Sequence, residues 1–361
     1  MNIKSRVREV KFLYAINALL KAKQTKGNYN AVRKYYETVS AKRRIIYQEN
    51  EIPDQITANF RKRGIVLKPI PKGNLSILYV GTDEGQDFGG IIQGLQKFGQ
   101  VIFFEQKPGL YGQMLINKKG VDVAKFNGRR LMAIVQDILK SGPLHVVIGQ
   151  MWGWTMDYEM LQRVRDLGIP VVNISMDDRH AFRLKRINGK WLGTSGLIGA
   201  IDLAGTAAKE CCLWYQVEGC SAIYLPEASD PELYKPFAVS KEYDVCFVGA
   251  NYGIRTKIVK AIEKKGNRVT SYGNGWPNGR IDIKKIPEFF AKSRIILGIG
   301  TIGHCKDFYS LKMRDFDGPI SGSLYLTHDN PDLGDLYCVD KEIITYRTPE
   351  ECAEKVKYYL T

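Results

Sequence analysis

At 361 residues the chain exceeds one ordinary domain, and two domains of about 150 residues with an extension are expected. A hydrophobic share of 44% and a charged share of 25% are those of a folded globular protein, and no run approaches the roughly 18 apolar residues of a membrane-spanning helix. The net charge of +15 is uneven: residues 1–70 hold 16 Lys and Arg against 5 Asp and Glu. The seven cysteines are scattered and never spaced as Cys-x-x-Cys, which argues against a disulfide framework or a zinc site and for a reducing, cytoplasmic compartment.

In chain order, residues 1–62 read as helices, with Val7, Val10, Leu13, Ile16 and Leu20 recurring at helical spacing among lysines and arginines. The stretch "KFLYAINALLKAK" mimics a signal peptide, but Asn17 interrupts its apolar run and Lys21 and Lys23 occupy the cleavage region. "VLKPIPKGN" closes this basic extension, which is taken as residues 1–70. Short β-branched runs then alternate with amphipathic stretches, the pattern of βαβ units on a parallel sheet. "LSILYVG", "QVIFFE", "LHVVIG", "PVVNIS", "AIDLAG" and "SAIYLP" are the expected strands of a first α/β domain over 71–235. After "LPEASDPELYKPF" the alternation restarts with "YDVCFVG", "NRVTSYG", "RIILGIG", "GSLYLTH" and "EIITYR", a second α/β domain over 236–361. Two Rossmann-like sheets facing each other across a cleft are the simplest architecture.

In doubly wound sheets ligands bind at the carboxyl ends of strands. The first loop of the first domain, "VGTDEGQDFGG", carries Asp83, Glu84 and Asp87, which would repel a diphosphate and could instead supply a general base. The corresponding loop of the second domain, "VGANYGIRTK", offers Gly249 and Gly253 for close backbone approach, then Arg255 and Lys257 at a helix N-terminus, which is anion-binding chemistry. Neither loop matches Gly-x-Gly-x-x-Gly or a Walker A sequence, against a dehydrogenase or a P-loop enzyme. Farther on, "SLKMRDFDGPISG" places Lys312 and Arg314 ahead of a strand at the same carboxyl edge, with Asp317 one helical turn later. The two cations could converge with Arg255 on one diphosphate, leaving Asp317 for ribose hydroxyls, or Arg314 and Asp317 could form a plain surface ion pair.

In the first domain "NISMDDRHAF" sets Asp177, Asp178 and His180 just past a strand end, and "GQMWGWTMDYEM" supplies Trp152 and Trp154 for stacking on sugar rings. Asp83, Asp87, Asp177 and His180 are the candidate catalytic bases, although aspartates also cap helices and tryptophans also fill cores. His145 opens an apolar strand and reads as structural, His304 in "GTIGHCKDF" lies near the cationic site, and His328 has no assigned role.

From "IYLPEASDPELYKP" to the C-terminus the sequence resembles the CgeB-like (spore maturation) glycosyltransferases of GT-B fold. The resemblance rests on "FVGANYGIR", "YGNGW", "KMRDFD" and "KEIITYRTPEECAEKVKYYL" in that order. It implies that Arg255, Lys312 and Arg314 contact the diphosphate of a nucleotide-sugar, that Asp317 stands where the family has a ribose-binding glutamate, and that Tyr272, Gly273 and Trp276 shape the base pocket. Aspartate is one methylene shorter than glutamate, and "GPISG" replaces the family's Ala-rich segment.

The expectation is a cytoplasmic GT-B enzyme moving a sugar from a nucleotide-sugar, UDP-linked by preference, to an acceptor hydroxyl. No resident cofactor is expected. No ligand set for zinc and no Asp-x-Asp after a strand suggests a metal, so the cations would stabilise the leaving diphosphate. The basic extension is expected on an anionic surface, membrane phospholipid by preference and DNA as the alternative, with a lipid-linked or envelope glycan as the favoured acceptor. A phage-type enzyme modifying hydroxylated bases in DNA, a non-enzymatic nucleotide or sugar binder, and a merely solvated basic face are the rival readings.

Overall fold

The computed structural model describes residues 3–105, 111–116 and 121–361, with residues 3–12 and 14 described as backbone only. It divides into two compact units, Ala31–Glu227 and a second composed of Met1–Asn30 with Ala228–Thr361. The basic N-terminal segment is therefore not a body of its own. Its long helix α1 (Ile3–Arg43) is shared between the units, and α2 (Ile52–Lys62) belongs to the first of them.

The Ala31–Glu227 unit follows with β1 (Leu75–Val80), the short helices α3 (Glu84–Asp87) and α4 (Gln93–Gln96), β2 (Gly99–Phe103), α5 (Val123–Ser141), β3 (Val146–Gly149), α6 (Tyr158–Asp166) and β4 (Val171–Ser175). Next come α7 (Asp178–Ala181), a two-residue ribbon of β5 (Arg186–Ile187) and β6 (Lys190–Trp191), β7 (Leu203–Thr206), α8 (Lys209–Val217) and β8 (Ala222–Tyr224). Six strands form one all-parallel sheet in the order β2-β1-β3-β4-β7-β8. An all-parallel sheet is covered on both faces, so its strands are apolar throughout rather than alternating. Ile77, Leu78, Tyr79 and Val80 of β1 are all buried. The later part of α1 and α2 seal this unit: Tyr36 is buried, stacked on Trp214 at 5.4 Å between centroids and edge-on to Phe182 at 5.5 Å, and Phe60 is buried too.

The other unit contains β9 (Tyr243–Val248), α9 (Arg255–Lys264), β10 (Val269–Tyr272), α10 (Ile286–Ala291), β11 (Ser293–Leu297), α11 (Arg314–Ile320), β12 (Leu324–His328), β13 (Ile344–Tyr346) and α12 (Pro349–Leu360). Its five-stranded parallel sheet runs β10-β9-β11-β12-β13. On one face Ile258 and Ile262 of α9 and Cys352 and Val356 of α12 pack against Val245, Phe247, Ile295 and Leu326. On the other, Phe289 and Phe290 of α10 pack on Ile296 and Tyr325. Each such side chain taken from water stabilises the unit by roughly 1.5–3 kcal/mol. The early part of α1 belongs here: Ala22 and Tyr29 pack on Ile302, Cys305 and Phe308, the Tyr29 and Phe308 rings lie 4.8 Å apart, and Lys26 pairs with Asp307. Upstream of that contact Leu13, Leu19 and Leu20 are exposed.

Candidate functional site

Strand order locates the sites before any side chain is considered. In the C-terminal sheet the order reverses direction between β9 and β11, so the chain leaves these neighbours toward opposite faces and opens a crevice at their carboxyl ends. The loops that border it approach closely. Gly253, at φ +62°, has no room for a side chain, since a Cβ would lie 2.3 Å from the Gly303 carbonyl oxygen. Only glycine both adopts this backbone and admits the neighbour.

Two guanidinium groups meet at Gly249. A Cβ on that residue, whose φ is +153°, would lie 2.8 Å from Nη1 of Arg314 and 3.4 Å from Nη1 of Arg255. Arg255 opens α9 and donates to the Ala250 carbonyl at 2.6 Å and to the Tyr252 hydroxyl at 2.9 Å. Arg314 opens α11 and donates to the carbonyls of Val248 at 2.8 Å and Ile299 at 3.3 Å, while its Nε is buried with no hydrogen-bond partner. Both groups lie over the Phe247 ring, 5.4 Å and 4.9 Å from its centroid. Neither makes an ion pair with a carboxylate among the described residues; their partners are dipoles and rings. Burial, followed by the neighbouring Arg314 charge, holds the Arg255 pKa down, to about 10, so it is still a cation at neutral pH. A buried cation without a counter-charge is costly unless an anion completes it.

The helix that carries Arg314 is fixed by a residue that no sequence motif marks. Asp315 is buried and accepts from the Lys312 N–H at 2.7 Å, the Tyr325 hydroxyl at 2.7 Å and the Thr327 hydroxyl at 3.3 Å. Lys312 is half-buried at the foot of this turn. Asp317 is buried and accepts from the Ser229 hydroxyl, so the surface Arg314–Asp317 ion pair considered from spacing is not formed. Burial pushes its carboxyl up, to about 7, against the pull of Ser229 and the Arg314 charge.

The remaining expected donor-site residues support these loops. Trp276 donates its indole N–H to the Gly249 carbonyl at 2.8 Å and sets its ring edge-on to Phe247 at 5.9 Å, so it props the arginine loop from the core side. Tyr272 packs edge-on to Phe289 at 5.2 Å. Gly273 lies against the Gly249 carbonyl, and half-buried His304 sits on the loop that supplies Ile299 and Gly303.

In the first sheet the order reverses between β1 and β3. There the crevice is lined by neutral hydrogen-bonding groups around one carboxyl. Asp87 is fully buried and accepts from the Gln150 amide, from the Tyr111 hydroxyl at 3.0 Å and from the Thr82 N–H at 3.4 Å; Gln150 also donates to the Tyr79 hydroxyl at 2.9 Å. Burial raises the Asp87 pKa, with the hydrogen bonds opposing. Asp83 is exposed and caps α3 through the Gly85 N–H at 2.9 Å. Asp177 is half-buried with an oxygen 4.0 Å from Nε2 of half-buried His180, and its neighbour Asp178 is buried, accepting from the Thr194 and Tyr215 hydroxyls. Half-buried Trp152 and Trp154 stack at 6.5 Å. His145 is structural, as its position suggested: Nδ1 accepts from the Ser76 N–H at 2.8 Å. It borders a cavity of about 720 Å³ at the opposite ends of β1 and β3, away from the carboxyl edge.

Residues 255–361 match the glycosyl transferase-like family model. No curated protein matches the sequence. Among solved structures, HepE of Anabaena in complex with UDP-glucose is similar over 79% of this chain and 89% of that one, at 10% identity and a TM-score of 0.50. AviGT4, a glycosyltransferase involved in avilamycin A biosynthesis, is similar over 80% and 88%, at 14% identity and 0.48. The DNA-modifying β-glucosyltransferase is similar over 79% and 88%, at 12% identity and 0.42. The chain thus has the GT-B fold of two Rossmann-like units, and its C-terminal unit carries a glycosyl transferase-like domain.

Proposed function

We propose that the protein is a metal-independent glycosyltransferase that binds a nucleotide-sugar, UDP-linked, at the carboxyl edge of the C-terminal sheet and passes the sugar to a hydroxyl held by the first unit. The observation that carries the reading is the pair of guanidinium groups on Gly249, one of them fully buried, neither paired with a carboxylate among the described residues. A diphosphate supplies the missing charge. As the glycosidic bond breaks, charge builds on the leaving diphosphate, and Arg255, Arg314 and Lys312 stabilise it without a metal ion. The family match over 255–361 and the UDP-glucose bound by HepE, a protein of the same fold, support this donor.

For the base we favour the Asp177–His180 pair over the loop after β1. Asp87 is fully buried, whereas the His180 and Asp177 side chains are partly exposed and set a carboxylate oxygen 4.0 Å from an imidazole nitrogen. The favoured acceptor is a lipid-linked glycan at an anionic membrane face, because α1 combines the exposed Leu13, Leu19 and Leu20 with a basic sequence. No described helix is long and apolar enough to cross a membrane.

The test is transfer of radiolabelled sugar from UDP-glucose, UDP-N-acetylglucosamine, GDP-mannose and dTDP-glucose to extracted lipid-linked acceptor and to hydroxymethylated duplex DNA, each with and without EDTA. Label in lipid that survives chelation is expected. Label in DNA alone would replace the acceptor, loss on chelation restored by manganese would overturn the metal-free step, and no binding or turnover of any donor would overturn the reading.

A further inference from the structure

His328 ends β12 at the carboxyl edge of the C-terminal sheet and is 1% exposed. Its Nδ1 is buried with no hydrogen-bond partner, in a unit where most buried polar atoms have one. The ring is held between Tyr346 of β13, at 4.6 Å between centroids, and Tyr309 of the loop after β11, at 5.6 Å. Arg255 from α9 acts on it electrostatically, and the adjacent Asp329 is taken by Arg347 at 2.7 Å. Of the α11 carboxyls, Asp315 is committed to Tyr325, Thr327 and the Lys312 N–H, and Asp317 to Ser229. Of the charged groups around it, the one whose field acts on the imidazole is Arg255.

We propose that His328 is a further ligand of the nucleotide-sugar site: when a diphosphate is seated on Arg255 and Arg314, His328 takes one proton from solvent and presents its orphan Nδ1–H to the bound anion. This inference rests on the donor-site reading above. An imidazolium has donors at both ring nitrogens, so protonation turns an unsatisfied atom into a phosphate-binding one. Without an anion, burial and then the Arg255 charge hold the imidazole down, to about 4, so it is neutral across the working range. A diphosphate offsets the Arg255 field, which raises the pKa, and by linkage donor affinity must increase as pH falls through the new value.

UDP-glucose is the probe because its diphosphate is a diester and does not titrate between about pH 5 and pH 8, unlike free UDP. Calorimetry in buffers of different ionisation enthalpy counts the protons taken up on binding. The expected result is uptake approaching one proton near about pH 5.5 and fading by about pH 8, with affinity rising by up to tenfold per pH unit on the acid side. His328→Gln should bind with no uptake and a flat profile. Should that variant fail to fold, ¹⁵N-histidine spectra of the wild type, which has four histidines, read the protonation of His328 directly with and without UDP-glucose. Binding of UDP-glucose with no proton uptake, or with uptake unchanged in His328→Gln, would overturn this inference and leave the donor site intact. Failure of UDP-glucose, GDP-mannose and dTDP-glucose all to bind would instead overturn the donor site, and the inference with it.

Discussion

The two sheets reverse their strand order at equivalent places, between β1 and β3 in one and between β9 and β11 in the other, yet the crevices are furnished oppositely. At the first, a buried carboxyl accepts from an amide, a phenol and a backbone N–H, so its hydrogen-bonding capacity is met by neutral groups of the same unit. At the second, two guanidinium groups spend their hydrogen bonds on carbonyls and a tyrosine and form no ion pair with a carboxylate among the described residues. The same topology thus carries a carboxyl held by neutral donors at one crevice and a pair of cations held by neutral acceptors at the other. Fold places the two crevices, and side chains decide what charge each presents.

The largest effect should come from breaking this asymmetry where it is strongest. Each guanidinium gives a charge-assisted contact to diphosphate of about 1.5–3 kcal/mol, so Arg255→Ala and Arg314→Ala should each weaken UDP-glucose binding by roughly 10- to 150-fold. Asp87→Asn, in the equivalent crevice of the other sheet, should leave that affinity within about twofold. Calorimetry on variants with wild-type circular dichroism checks both halves. An Asp87 variant that loses donor affinity as the arginine variants do would abolish the distinction.

A second test sharpens the carboxyl side of the comparison. Burial holds the Asp178 carboxyl up, to about 6, against hydrogen bonds from Thr194 and others. A carboxyl that titrates near 4 in the unfolded chain and near 6 in the folded one favours folding below about pH 4, and that contribution is lost as pH rises through about 6. The loss is on the order of 3 kcal/mol, since each tenfold change in proton affinity is worth about 1.4 kcal/mol. Asp178→Asn cannot lose a proton, so its stability relative to wild type should improve by about that amount between about pH 4 and pH 7. Urea midpoints across the range report it. A constant difference would mean that Asp178 is ionised inside the fold at acid pH.

Much of this was legible beforehand, and the illegible part has a consistent cause. The eleven strands of the two parallel sheets were announced by β-branched runs, because a strand covered on both faces must be apolar along its length. Arg255 and Arg314 were legible as cations at strand ends. Their convergence was expected from that placement, but its means was not legible: Phe247 lies beneath both groups and Gly249 has no Cβ to keep them apart. Asp315 and Asp317 are two letters apart and similar in kind; only the fold gives the first to Tyr325 and Lys312 and the second to Ser229. His328 gave no pattern at all, since an orphan nitrogen exists only relative to its neighbours. The reading of residues 1–70 as a basic helical extension rests on charge density, and the apolar contacts by which α1 packs, those of Ala22, Tyr29 and Tyr36, are not visible in that density.

The smallest predicted effects concern α1, and they separate its two roles. Tyr29 packs on Phe308 and Lys26 pairs with Asp307, both on the loop that carries Ile299, whose carbonyl holds Arg314. Tyr29→Ala should therefore cost about 1 kcal/mol of stability from the lost ring contact and lower donor affinity a few-fold, with no change in affinity for vesicles. Leu19→Asp with Leu20→Asp alters side chains that are 63% and 62% exposed and lie upstream of the Ala22 and Tyr29 contacts. That pair should leave UDP-glucose binding unchanged and reduce cosedimentation with vesicles of phosphatidylglycerol and phosphatidylcholine by about tenfold, because the leucines no longer enter the interface and two anions face the headgroups. Raising salt should weaken wild-type vesicle binding as well, since exposed charges are screened beyond about 10 Å at 0.1 M. If both variants change both properties together, the helix acts as one rigid element whose surface contact and loop contact cannot be told apart. If the leucine variant still sediments with vesicles as the wild type does, the exposed turn of α1 is a solvated basic face and the membrane acceptor loses its support.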